Sequence, residues 1–127
     1  MKLLAFCAAL LAGPAAAQDM ADAPGGILRW LDKVTGETAD IELARGQSAV
    51  SGFLTILLDQ CRYPVENPNS NAVAHLTITD SRADKPGFSG WMFAASPALS
   101  ALDHPRYDVW VLRCVTPAPP TEPKPAE

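Results

Sequence analysis

The sequence predicts a mainly β fold: a small antiparallel sandwich, or a partly open barrel, of about six strands with one short helix. Three observations carry that expectation. Hydrophobic residues recur with period two over residues 38–43 and 73–80. Other runs are rich in β-branched and aromatic residues and are separated by Pro-, Asn-, Asp- and Gly-rich loops. One stretch, 96–103, carries the start and stop signals of a helix.

Taken in order, residues 27–34 (ILRWLDKV) place Leu28, Trp30 and Val34 on one face, and Thr35-Gly36 turns the chain into the next strand as in a hairpin. Residues 38–43 (TADIEL) set Ala39, Ile41 and Leu43 against Thr38, Asp40 and Glu42. Residues 53–61 (FLTILLDQC) are more continuously apolar, the pattern of a central strand. Loops follow at 62–71 and 81–87. Between them, residues 73–80 (VAHLTITD) set Ala74, Leu76 and Ile78 opposite His75, Thr77 and Thr79. Residues 88–94 (FSGWMFA) are a further strand, weakened by Gly90, and 107–114 (YDVWVLRC) are the last.

The helical stretch begins with Ser96 as N-cap and Pro97 at the first helical position, and His104-Pro105 closes it. Two turns cannot stand alone in water, so Leu99 and Leu102 are expected to pack onto the sheet.

The flanks are of a different kind. Met1-Lys2, an apolar run over residues 3–11 (LLAFCAALL), the Gly13-Pro14 break and Ala15-Ala16-Ala17 have the three parts of a secretory signal, with cleavage expected before Gln18. The apolar run falls well short of the ~20 residues that span a bilayer, which argues against a transmembrane anchor after processing. Phe6 before Cys7 is too bulky for a lipoprotein signal, so Cys7 leaves with residues 1–17. Residues 18–26 read as a flexible leader, 27–114 as the β domain, and 115–127 (VTPAPPTEPKPAE) as a disordered Pro-rich tail. The expected address is the periplasm.

Processing would leave 110 residues with nine basic and 14 acidic side chains, the basic ones scattered. Such a surface repels phosphate backbones and anionic headgroups, which excludes nucleic acid as an expected partner. It also leaves two cysteines, Cys61 and Cys114, in an oxidising compartment with a single possible pairing. No CxxC is present, and neither cysteine has a histidine nearby in sequence, so a disulfide is preferred over a metal or reactive thiol.

Residues able to carry chemistry are few. His75 falls on the polar face of its strand. His104 lies beside Asp103, with Ser100 and Asp108 close by. Adjacent side chains rarely place a carboxylate on an imidazole, and no GxSxG elbow exists, so a hydrolase triad is disfavoured. A metal site from His104, Asp103 and Asp108 lacks ligand spacing, and no cofactor motif is present. Asp32 shares a face with Trp30. It would act as an acid if its pKa were raised, but a carboxylate accepting backbone bonds beside the Thr35-Gly36 turn is the preferred reading.

The aromatic residues are the remaining candidates. Trp30, Trp91, Trp110, Phe88, Phe93 and Tyr107 lie on three expected strands. They either build the core or form a stacking platform or partner hot spot. The expected interaction surface comprises Trp91, Phe93, His104, Tyr107 and Trp110.

The block from Phe88-Ser89-Gly90-Trp91-Met92-Phe93 through His104-Pro105, continuing Tyr107-Asp108-Val109-Trp110-Val111-Leu112 to Cys114, resembles the bacterial domain-of-unknown-function family 2155. The likeness extends to Leu31-Asp32-Lys33-Val34-Thr35 and to the strand ending at Cys61. It implies an exported protein of Gram-negative bacteria with no assigned activity and a role in envelope maintenance, and it supplies no catalytic residues. The recurrent cysteine pair of that family matches Cys61 and Cys114. The expectation is therefore a non-catalytic accessory or structural module that binds an envelope protein. A carbohydrate- or lipid-binding module using the tryptophans is the alternative, and an unrecognised hydrolase a remote one.

Overall fold

The computed structural model describes residue 13 and residues 19–84 and 86–117. Apart from Gly13, the expected signal lies outside the described residues, as does the tail from residue 118 onward. The described residues form eight strands: β1 (Met20–Asp22), β2 (Gly25–Asp32), β3 (Thr38–Ala44), β4 (Ser48–Ser51), β5 (Leu54–Pro64), β6 (Val73–Asp80), β7 (Pro86–Phe93) and β8 (Tyr107–Val115). They build two antiparallel sheets. One runs β1-β5-β6-β7, with β4 sharing the outer edge of β5; the other runs β3-β2-β8. The small sandwich expected from the alternation is what forms, and the sheets do not close into a barrel.

Alternation decides what lies between the sheets. Leu54, Ile56 and Leu58 of β5, Ala74, Leu76 and Ile78 of β6, and Met92 of β7 face Leu28 and Trp30 of β2 and Tyr107, Val109 and Val111 of β8. Each large apolar side chain so buried contributes roughly 1.5–3 kcal/mol. His75 and Thr77 of β6 point outward, as their period predicts.

Strict alternation would turn both cysteines outward, because Cys61 and Cys114 are out of phase with Leu58 and Val111. Two bulges correct this. The β5–β6 register passes from Leu58↔Leu76 to Gln60↔His75, skipping Asp59. The β2–β8 register passes from Leu28↔Val111 to Ile27↔Arg113, skipping Leu112. One extra residue in each strand reverses the facing of everything beyond it. Cys61 and Cys114 then meet in the core, with Cα atoms 5.7 Å apart, and join central strand β5 to the last strand across the two sheets.

Some expectations are corrected. The leader read over 18–26 contains β1, paired to residues 62–64, and the start of β2. Gly25-Gly26 is strand because other chain segments press on it. A Cβ on Gly26 would lie 3.1 Å from Cys61 Sγ, and one on Gly25 would collide with the Leu43 carbonyl. The expected helix is a single 3-10 turn, Pro97–Leu99, in which Ser96 provides no side-chain cap. Ser100 is already extended (φ −149°), so no second turn forms. Leu102 is buried as expected, whereas Leu99 is 76% exposed. Val34 lies in the turn after β2 and is exposed rather than facing the core beside Trp30.

Candidate interaction surface

The expected surface residues divide among three places. His104 and Tyr107 lie inside one end of the sandwich, Trp110 on the outer face of the three-stranded sheet, and Trp91 and Phe93 on the outer face of the larger sheet.

The end of the sandwich is a polar cluster built from four separate segments. Asp32, at the end of β2, accepts hydrogen bonds from the backbone N–H groups of Val34 (2.9 Å) and Thr35 (3.3 Å). The Arg106 guanidinium adds bonds through Nη2 (2.9 Å) and Nε (3.2 Å). The bond from Arg106 is the main reason the Asp32 carboxyl drops from 3.8 to about 2, with the two backbone donors assisting against the cost of burial. This is the turn-capping role preferred from sequence, and the opposite of a raised-pKa acid.

His104 is fixed on both sides. Its Nδ1 accepts the N–H groups of Arg106 (3.0 Å) and Tyr107 (3.1 Å). The ring proton is therefore on Nε2, which donates to Asp80 at 2.8 Å. Asp80, held below the usual carboxylate range chiefly by that bond, is the partner of His104; the adjacent Asp103 points to solvent. With Nδ1 committed to two amides, His104 has no free nitrogen for a substrate hydroxyl. Its carbonyl accepts a bond from Lys33 Nζ (2.7 Å).

Tyr107 is a core residue. Its ring packs against Trp30 with centroids 5.5 Å apart, and its hydroxyl accepts the Phe53 N–H at 3.3 Å. Gly52, at φ +59°, is required here, since a Cβ would fall 2.5 Å from that hydroxyl. The Arg82 guanidinium stacks over the Phe53 ring, 3.7 Å from its centroid.

Trp110 is half-buried across from Arg29 of β2. With Pro97, Ala98, Ala101, Asp108 and Val109 it lines a groove of about 330 Å³.

Trp91 and Phe93 face solvent on β7, 36% and 37% exposed. Cross-strand pairing sets Trp91 beside His75 and Phe93 beside Val73. The His75 ring meets Trp91 edge-on, with centroids 5.2 Å apart. Asp59, the bulge residue of β5, accepts bonds from His75 Nδ1 and Thr77 Oγ1, both at 2.8 Å. Phe93 and Leu99 line a hollow of about 150 Å³ with Val73 and Ala95. Trp91, Phe93 and Leu99 thus form an exposed apolar stripe running from β7 onto the turn that follows it. Leu99 and Asp59 escape a reading by period because one faces solvent from a single 3-10 turn and the other sits in a bulge.

Residues 26–114 match the family described as "Uncharacterized protein conserved in bacteria (DUF2155)". The chain belongs to this DUF2155 family. An uncharacterised protein of Rickettsia prowazekii (strain Madrid E) is 30% identical over 87 residues, covering 66% of this chain and 56% of the relative. This DUF2155 chain therefore spans little more than half the length of that curated relative. No solved structure matches it. The matched region begins within β2 and ends at Cys114, so it includes both cysteines, the polar end cluster and the Trp91–Phe93 stripe.

Proposed function

We propose that this DUF2155 protein is a periplasmic, non-catalytic accessory module that binds an envelope protein through the outer face of β7. The observation that carries the reading is the exposed stripe of Trp91, Phe93 and Leu99. Exposed aromatic side chains grouped on a rigid strand have the composition of a binding hot spot. The non-catalytic part is supported by His104, whose ring nitrogens are both engaged by Asp80 and two backbone amides. The address is supported by the tripartite signal in residues 1–17.

A photo-crosslinking residue placed at Phe93, in cells producing the chain, tests the docking site. A discrete adduct with an envelope protein, lost when Trp91→Ser is added, is expected; absence of any adduct contradicts the proposal. Intact mass of the chain from the periplasmic fraction should lack residues 1–17.

A second reading, carbohydrate binding, is favoured by one observation: the polar row Asp59–His75–Thr77 lies directly beside Trp91. Binding of envelope glycans that is lost on Trp91→Ser, with no protein adduct, would favour it.

A further inference from the structure

A sheet edge presents unpaired backbone donors and acceptors, and natural proteins guard such edges with charge, proline, shortness or a covering segment. Among the described residues, the edges of this sandwich are guarded unequally. Edge strands β1 and β4 have three and four residues. Strand β3 carries Asp40 and Glu42, and β8 carries Asp108 and Arg113, with Pro97, Ala98 and Ala101 flanking its first half. Strand β7 terminates its sheet; Pro86 and a bulge at Gly87 guard its start, whereas the following residues 88–93 (FSGWMF) contain neither charge nor proline.

The register fixes which backbone groups this edge presents. Ala94 N–H donates to the Ala72 carbonyl, so the opposed pairs 72/94, 74/92, 76/90 and 78/88 exchange the β6–β7 ladder bonds. The N–H and C=O groups of Ser89, Trp91 and Phe93 therefore point away from β6. The Phe93 carbonyl accepts the Ser96 N–H at 3.3 Å. No other backbone bond among the described residues reaches this side of residues 88–93.

We propose that a second copy of this chain pairs antiparallel with β7 across a two-fold axis at Gly90. This register sets Ser89 of each copy opposite Trp91 of the other, and their outward groups form four backbone hydrogen bonds. It also fits side-chain size on the outer face, since each Trp91 stands opposite a serine; the regular register ends at Phe88, before the bulge at Gly87. With residues 88–93 uncharged, the two-fold brings no like charges together, which favours a second copy as the occupant. Pairing would continue the sheet from one copy into the other and set two Trp91–Phe93 stripes side by side. The inference deepens the proposed docking surface by making it a paired one.

The test uses the purified, oxidised chain in analytical ultracentrifugation over a concentration series. The mass is expected to double with concentration. Ser89→Pro removes an edge N–H that makes no bond to β6, so it should leave the sandwich intact and the mass at that of one chain. If Ser89→Pro does not fold, Ser89→Glu serves the same purpose, placing a carboxylate on each side of the axis. Gly90→Cys reports the register. Non-hydrogen-bonded pairs bring Cα atoms to about 4.5 Å, within disulfide range, and a Cβ at Gly90 makes only ordinary contact with Phe88.

A disulfide-linked dimer of Gly90→Cys is expected on oxidation. A single-chain mass at every concentration, a dimer that survives Ser89→Pro, or a dimer whose Gly90→Cys form does not crosslink would each overturn the proposal. The Ser89→Pro chain should keep its Phe93 adduct with a partner. Loss of the wild-type adduct alone would count against the docking site and not against the pairing.

Discussion

Asp32 and Arg106 lie 74 residues apart in sequence, yet their side chains close one end of the sandwich. Because the folded carboxyl titrates at about 2, below its ordinary 3.8, its contribution is fully present above 3.8 and is lost as pH falls toward 2. Asp80 and Asp40 are shifted in the same direction, by His104 and Arg29 respectively, so acid lowers stability through all three. Urea midpoints measured between about pH 5 and pH 2 should fall steeply in the wild type and less steeply in Asp32→Asn; equal slopes would show that the ion pair plays no part. Gly52→Ala should cost about 1–3 kcal/mol in urea unfolding, because the residue combines a left-handed φ with contact against the Tyr107 hydroxyl. The turn-capping role of Asp32 is readable locally, since Thr35-Gly36 follows it at once. Arg106 and Asp80 are not readable, because only the fold brings their segments together. The adjacent Asp103 does not reach the His104 imidazole, as expected, but nothing near it in sequence names Asp80.

At the scale of the strands, period two identifies faces wherever one side meets solvent. Residues 73–80 are the clearest case, with Ala74, Leu76 and Ile78 buried opposite His75 and Thr77. The rule fails at Gly25-Gly26, where approach of the Leu43 carbonyl and Cys61, and not hydrophobicity, selects glycine. It fails again at Asp59 and Leu112, since a bulge leaves no mark in composition. The bulges can be tested directly. Deleting Asp59 removes the extra residue and leaves Leu58, Gln60 and Cys61 in regular in–out–in alternation opposite Leu76, His75 and Ala74. The disulfide should therefore still form, and no thiol should react with a thiol reagent without reductant. Two reactive thiols in the deletion variant would show that Asp59 is not the residue whose insertion sets the phase of Cys61. Residues 96–103 carry a helix N-terminal signal but yield one 3-10 turn. Ser100, just beyond that turn, is extended, and bonds from Lys33 to the His104 carbonyl and from Arg106 and Tyr107 to its ring hold the segment before β8 in place.

Across the whole molecule, the two sheets are held by one apolar core and by the Cys61–Cys114 bond, which closes a 53-residue separation. On the chain-entropy account such a loop is worth about 4 kcal/mol, so the paired change Cys61→Ala and Cys114→Ala should lower unfolding stability by up to that amount. A loss under about 1 kcal/mol would show that the core alone sets the stability. The architecture also separates what is internally satisfied from what is left open. The polar end cluster has partners for its carboxylates and its imidazole, whereas the β7 face presents apolar side chains to solvent. That asymmetry is the basis of the proposed working surface. The most direct measurement is a crosslinking scan in intact cells, with the photoreactive residue placed in turn at Ser89, Trp91, Phe93 and Leu99 and at Arg29, Asp40 and Arg113 on the other sheet. The account predicts protein adducts from the first four positions and none from the last three. Adducts confined to the three-stranded sheet, or none from either face, would contradict it.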